Sequence, residues 1–173
     1  MSDKKITSLF SAVILTEELE ERIDIIRHKL KFIEIRPTVA CIKGLSPLMI
    51  AGNWTPELVA IAGGKSILAK NGQHSSFINF EAIQSEDPDM MLIMPCGFSI
   101  QQTLQEIHLL TDLSKWNELT AVKNDRIYIA DGSQYFDCSN THPVNCIEIL
   151  AEIIHPKQFI FGYEGNGWIK FIR

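Results

Sequence analysis

Three short apolar runs constrain the fold of this chain more than any other feature. They cover residues 38–42 (TVACI), 90–94 (MMLIM) and 126–130 (RIYIA), and each is apolar on both faces rather than alternating. Segments with helical patterns separate them at the spacing of βα units. Strands of this kind are typical of a parallel sheet covered by helices on both sides. We therefore predict an α/β fold, a single lobe with a mostly parallel sheet flanked by helices.

The helical segments carry clear start signals. A helix from Thr16 to about Phe32 has an apolar stripe, acidic residues in its first turns and basic residues in its last turn, which suits the helix dipole. Its other face is heavily charged, so we expect this helix on an outer surface or between two bodies. Further helices are predicted from a capping Thr55, over residues 80–85, from a Ser99–Gln102 capping box to about residue 111, and from Pro143 to residues 155–156.

The chain divides into three parts on this pattern. Residues 1–35 form an N-terminal segment with the first helix, residues 36–159 form the α/β lobe, and residues 160–173 form a tail rich in aromatic residues and glycine. We predict a small hairpin around Gly165-Asn166 in the tail.

Charge and cysteine content exclude several classes. The net charge is −5 and no basic block occurs, which argues against a nucleic-acid partner. No apolar run approaches the roughly 18 residues that span a bilayer. Residues 4–15 faintly resemble a secretory signal but lack a small-residue cleavage site. The spacing of the four cysteines matches no disulfide framework, so we expect reduced thiols in a cytoplasm.

Loops that follow the three strands are the candidate site, because ligands of open parallel sheets bind outside the carboxyl ends of the strands. The loops cover residues 44–54, 95–98 and 131–136, and each contains glycine and an aromatic residue. A flat apolar rim for a large planar or hydrophobic ligand would comprise Trp54, Phe98, Tyr135 and Phe136. The alternative is that each aromatic side chain only covers the core.

Two alternative hypotheses, an enzyme and a metal-binding protein, are less favoured than the ligand-binding rim. Cys96 precedes a helix N-terminus, where a thiolate would be stabilised, although a structural thiol is the preferred interpretation. The spacing of Cys138, His142 and Cys146 resembles a metal site, but Pro143 interrupts it and no fourth ligand is evident, so no metal is predicted. The absence of Gly-x-Gly-x-x-Gly and Walker patterns predicts no nucleotide cofactor.

Four segments in order resemble the C-terminal lobe of helix-linked ABC-transporter substrate-binding proteins, which bind vitamin B12, haem and iron–siderophores. They are LMIAGNWTPELVAIAGG (48–64), PDMMLIMPCGFSIQQTLQEI (88–107), KWNELTAVKNDRIYIADGSQYF (115–136) and IEILAEIIHPKQF (147–159). The likeness is greatest to the cobalamin-binding subgroup.

The resemblance implies an α/β lobe preceded by the end of an inter-lobe helix, with ligand held between two lobes. It places seven residues in the cleft loops: Asn53, Trp54, Cys96, Gly97, Phe98, Tyr135 and Phe136. It also implies that Glu57 docks against arginines of an ABC permease. Asn53 stands where the subgroup has histidine, and the tail has no counterpart.

The expected function is a ligand-binding module, without catalysis or a cofactor of its own, whose ligand is cobalamin, haem or an iron–siderophore. The usual first lobe is absent from the pattern, so we expect a second copy or a separately encoded first lobe to complete the cleft. The alternatives are a protein-interaction module with a vestigial cleft and a small cysteine-dependent enzyme. The chain as written fits the cytoplasm, whereas the resembling proteins are typically periplasmic or on the cell surface.

Overall fold

The computed structural model describes residues 17–137 and 143–172. Its central sheet has seven strands: β1 (Thr38–Leu45), β2 (Leu48–Ile50), β3 (Lys65–Ser66), β4 (Ser76–Phe77), β5 (Met90–Ile93), β6 (Ile127–Ala130) and β7 (Trp168–Phe171). The strand order is β4-β2-β1-β5-β6-β7, and β3 also pairs with β1. Strands β1, β3, β5 and β6 are parallel, whereas β2, β4 and β7 are antiparallel to their neighbours. The predicted α/β lobe with a mostly parallel sheet is confirmed.

Helices cover both faces of this sheet. They are α1 (Glu17–Leu30), α2 (Thr55–Ile61), α3 (Phe80–Glu86), α4 (Ile100–Glu106), α5 (His108–Thr111), α6 (Thr120–Lys123) and α7 (Pro143–Ile154), with a 3₁₀ turn at Trp116–Glu118. One core lies between the sheet and α1, α2 and α7, and the other lies beneath α3 to α6. Every residue of β5 and β6 is buried, which explains why these strands lack polar alternation. No helix among the described residues is long and apolar enough to cross a membrane.

Helix α1 packs its apolar stripe on α7. Ile23, Ile26 and Leu30 are buried, as the spacing predicts. Helix α7 is buried along nearly its whole length because α1 and the tail cover the face that points away from the sheet. The predicted capping box is present in α4, where Ser99 and Gln102 exchange hydrogen bonds. The predicted cap of α2 is wrong by one residue, because Trp54 occupies that position and Thr55 is already helical.

The tail differs from the prediction. A turn does occur at residues 165–167, where the Gly165 amide donates to the Trp168 carbonyl (2.8 Å). However, residues 168–171 pair with β6 as an edge strand instead of forming a separate hairpin. Trp168 is buried against Tyr128, with ring centroids 5.8 Å apart. Pairing with residues 168–171 gives hydrogen-bond partners to the backbone N–H and C=O groups on this side of β6, which would otherwise be an exposed strand edge.

Candidate functional site

The loops after β5 and β6 meet at the carboxyl edge of the sheet, against the end of β1. The Gly97 amide donates to the Gly132 carbonyl (3.1 Å), and the Gly132 amide donates to the Phe98 carbonyl (2.8 Å). The Cys96 amide donates to the Lys43 carbonyl at the end of β1 (3.2 Å). These bonds make one continuous rim of segments that are up to 89 positions apart along the chain, counting from residue 43 to residue 132.

Gly132 allows the two later loops to lie in contact. A Cβ atom at this position would lie 1.9 Å from the Pro95 carbonyl oxygen, well inside van der Waals contact. The Pro95 carbonyl in turn accepts a hydrogen bond from the Phe98 amide (3.0 Å). A side chain at 132 would therefore push the loops apart.

The backbone at residues 52–53, just before α2, is held by hydrogen bonds to residues 72–75. Asn53 has φ of 54°, a left-handed conformation that asparagine adopts more readily than most residues. Its amide donates to the Gln73 carbonyl (2.5 Å), and its carbonyl accepts from the Gly72 amide (2.8 Å). The preceding Gly52 amide donates to the Ser75 hydroxyl oxygen (3.0 Å). The loop therefore presents Trp54 from a fixed backbone.

A shallow depression lies behind this rim, above α2 and α7. Its apolar walls are Trp54, Leu58, Met94, Phe136 and Cys146, and its polar lining is Lys43, Thr55 and Asp137. The cavity volume is about 10 Å³, which holds roughly one water molecule. As the described residues line it, this depression does not enclose a large ligand.

The predicted aromatic residues are only partly brought together. Trp54 and Phe136 line the same depression, but Phe136 is only 7% exposed and belongs mainly to the core. Phe98 is half-buried on the neighbouring loop. Tyr135 instead packs edge-to-face against Tyr163 of the tail, with ring centroids 5.6 Å apart. Ligand contact by these residues and by Gly97, which is exposed, stays a prediction.

Cys96 does not have the predicted chemical state. It is disulfide-bonded, so the expected reduced thiol is wrong at this position, because folding brings together cysteines whose sequence spacing gives no pattern. A disulfide sulfur is not a nucleophilic thiolate, which removes the basis of the cysteine-dependent enzyme.

Cys138 and His142 lie outside the described residues. Elsewhere in the described chain, no group of three potential metal ligands occurs.

Cys41 and Cys146 are buried thiols. Burial raises the pKa of each to about 12, so neither forms a thiolate at neutral pH. The thiol of Cys146 also donates to the Tyr135 carbonyl (2.9 Å), which fixes the third loop on α7.

Asp131 and Glu57 make ordinary surface contacts. The Asp131 carboxylate accepts hydrogen bonds from the Ser133 amide (2.9 Å) and hydroxyl (2.6 Å), which is standard turn chemistry. Glu57 is half-buried on α2, and its carboxylate accepts from the Asn71 side-chain amide (3.3 Å). Docking of Glu57 against a permease stays a prediction.

Sequence reasoning missed a buried polar network on α7. Arg22 of α1 binds both carboxylate oxygens of Glu148 (2.8 and 2.6 Å), and the Tyr163 hydroxyl donates to the same carboxylate (2.8 Å). Glu152 accepts hydrogen bonds from the Phe161 amide and from the Trp168 indole, so it fixes the tail. Two glutamates four residues apart in an otherwise apolar helix were the available signal, since buried charges need partners.

Comparison with known proteins assigns this architecture to a class. In open α/β sheets, ligands bind outside the carboxyl ends of the strands, which is the edge where these loops lie. The family model for periplasmic binding proteins matches residues 12–133, most of the chain. The chain therefore belongs to the periplasmic binding protein family, and no match was found among curated proteins.

Solved structures of similar fold agree with this assignment. A TroA-like periplasmic binding protein, FepB, from Veillonella parvula is 21% identical, with a TM-score of 0.64 over 82% of this chain and 46% of its own. An ABC-transporter substrate-binding protein from Listeria monocytogenes is 20% identical, with a TM-score of 0.69 over 80% of this chain and 55% of its own. IsdE of S. aureus, complexed with heme, is 20% identical, with a TM-score of 0.68 over 80% of this chain and 55% of its own.

The chain spans about half the length of these structures. The resemblance to ABC substrate-binding proteins is thereby confirmed at the level of the family and the fold. Family and neighbours are binding and transport proteins. The cobalamin subgroup and the assignment to the C-terminal lobe stay predictions.

Proposed function

We propose that this chain is one ligand-binding lobe of an ABC-transporter substrate-binding protein for a large planar or metal-chelate ligand. The observation that carries the proposal is the hydrogen-bonded contact of the β5 and β6 loops with each other and with the end of β1, with Trp54 and Phe136 lining the depression behind it. Aromatic walls on a rigid backbone suit a ligand with an extended flat face.

The ligand class follows from the resemblance and from the similar structures. The cobalamin-binding subgroup supplies one candidate. The heme complex of IsdE and a structure from an Fe³⁺-hydroxamate transport system of Saccharomonospora viridis supply the others. Cobalamin, haem and iron–siderophores are all too large for a depression of about 10 Å³, so binding needs a second surface.

The proposed division of the chain into parts suggests where the second surface would lie. Residues 36–159 correspond to a C-terminal lobe, and α1 corresponds to the end of an inter-lobe helix whose charged face is not covered by α7. A separately encoded first lobe or a second copy of this chain would face the rim and enclose the ligand. Glu57 would then dock the assembly on an ABC permease.

Ligand titration of the purified chain tests the proposal. Cyanocobalamin, hemin and a ferric hydroxamate are each added while absorbance and heat are recorded, and the size of the protein in solution is measured with and without ligand. We expect saturable binding of one of the three, together with association into a larger species.

Trp54→Ala and Phe32→Ala form a matched pair of variants. Both remove a large aromatic side chain, but Trp54 lines the depression, whereas Phe32 is 79% exposed just before β1, at the opposite edge of the sheet. Trp54→Ala should weaken binding about tenfold or more, which corresponds to the loss of one stacking contact and its buried area. Phe32→Ala should leave it unchanged.

Absence of binding to the monomer and to any dimer would refute ligand binding by this chain alone or by two copies of it. Retained binding to a permease in that case would indicate an interaction module with a vestigial cleft.

A further inference from the structure

Lys43 lies at an irregularity of the central strand, directly beside the depression. The pairing of β1 with β2 is in register at Ile42 and Ile50 and again at Gly44 and Met49, so two steps along β1 match one step along β2. Lys43 is the extra residue. Bulges of this kind are frequent next to binding sites, because they redirect one side chain and interrupt pairing locally.

Lys43 lies on the face of the sheet that α2 and α7 cover, because it lines the same depression as Leu58, Met94 and Cys146. Cys41, two residues earlier, is buried in the core beneath α2 and α7, and Met94 belongs to the same core. Lys43 follows on that face where the sheet ends, and it lines the depression with Trp54 and Phe136. Lys43 therefore shares the depression with two aromatic residues.

The charge of Lys43 has no partner within residues 17–137 and 143–172: its side chain makes no hydrogen bond or ion pair there. Asp137 lines the same depression but does not form an ion pair with Lys43, and its charge acts on the Cys146 thiol on α7. Closing a second surface over the rim would remove water from the ammonium group. An ammonium group that loses water needs an anion in exchange.

We propose that Lys43 is a specificity-determining residue of the ligand site and that it pairs with a carboxylate at the edge of a flat, largely apolar ligand. This inference rests on the proposed function and narrows its ligand class. A porphyrin with propionate groups fits the arrangement, because its plane would lie against Trp54 while a propionate reaches Lys43. A corrin ring bordered by neutral amides provides no carboxylate partner.

Hemin and hemin dimethyl ester are the matched probes, since they share the ring and the iron and differ only in the carboxylates. Each is titrated by absorbance against the unmodified chain and against Lys43→Gln, Lys43→Arg and Lys65→Gln. Lys65 is an exposed lysine on β3, which pairs with the opposite end of β1, so Lys65→Gln is the control for a general loss of charge. Circular dichroism verifies that each variant is folded.

We expect Lys43→Gln to weaken hemin binding roughly tenfold or more, as for the loss of a charge-assisted hydrogen bond, and to leave the ester unchanged. Lys43→Arg should keep most of the affinity for hemin, and Lys65→Gln should change neither ligand. Equal effects of Lys43→Gln on hemin and ester, or no effect on either, would overturn the role of Lys43 while the proposed function stands. Binding of cyanocobalamin in preference to hemin would overturn the carboxylate ligand, and binding of neither would overturn both proposals.

Discussion

Replacement of Gly132 by alanine tests whether the rim of loops is a single packed unit. The new Cβ would lie 1.9 Å from the Pro95 carbonyl oxygen and 2.8 Å from its carbon, both of which are backbone atoms. A flexible side chain could move aside, but here the whole Pro95–Phe98 turn must move. The shift breaks the two hydrogen bonds between Gly132 and residues 97 and 98, and it strains the Pro95–Phe98 bond.

The expected cost follows from these contacts. Each lost backbone hydrogen bond costs about 0.5–1.5 kcal/mol, so two or three of them predict a loss of about 1–4.5 kcal/mol in the free energy of unfolding. Gly97→Ala is the matched control on the facing loop. Nothing lies within 4 Å of its Cβ position, so only the left-handed backbone (φ of 78°) opposes the substitution, at a cost of about 1–2 kcal/mol.

Urea denaturation followed by fluorescence measures both variants. Gly132→Ala should lower the midpoint more than Gly97→Ala, with the slope of the transition unchanged in both. If Gly132→Ala were as stable as the unmodified chain, or more stable than Gly97→Ala, the loops would not be in contact and the rim would not exist as described.

Three further predictions concern the α7 side of the molecule. Arg22→Ala should lower the free energy of unfolding, measured in urea, by about 2 kcal/mol because it leaves the buried Glu148 carboxylate without its cation. Arg27→Ala, on the exposed face, should lower it by less than about 0.5 kcal/mol. Equal losses in the two variants would contradict the ion pair. Burial lowers the pKa of His155 below 6.5, and its Nε2 donates to the Gly63 carbonyl (3.0 Å). The imidazole of His155 therefore binds a proton more readily in the unfolded chain than in the folded one. The free energy of unfolding should fall as pH decreases below about 6.5 and level off below the folded-state pKa. A His155→Gln variant with the same pH dependence as the unmodified chain would refute this assignment. Cys146, with a pKa raised to about 12 by burial, should resist iodoacetamide at pH 8 in the folded chain and react in urea, and rapid native labelling, measured by mass spectrometry, would contradict its burial.

Local signals in the sequence predict most helices and the three parallel strands. The Ser99–Gln102 box places α4, and the apolar stripe of Ile23, Ile26 and Leu30 places α1, because both depend on neighbours within one or two helical turns. The short strands β2, β3 and β4 were not predicted. With two or three residues each, they contain no periodic pattern, and their pairing with β1 depends on distant partners.

The candidate site divides in the same way. The loops after β1, β5 and β6 were predicted to meet because parallel strands end at one edge of a sheet. The structure brings the β5 and β6 loops into hydrogen-bonding contact with each other and with the end of β1. The state of Cys96 was not predictable, since disulfide bonding depends on the distance between chain-distant atoms. The position of Tyr135 against the tail and of Lys43 at a bulge depended likewise on pairing partners elsewhere in the chain.

What the sequence by itself determined is therefore the class of fold and the edge at which the candidate loops lie, because burial on both faces of three strands and their common direction follow from local composition. What only the tertiary structure decided is which side chains are available there. Arg22 and Glu148 lie 126 positions apart, and the turn of the tail onto β6 directs Tyr135 away from the depression. Such contacts are chosen by the packing of whole elements against one another, and no short segment contains that information.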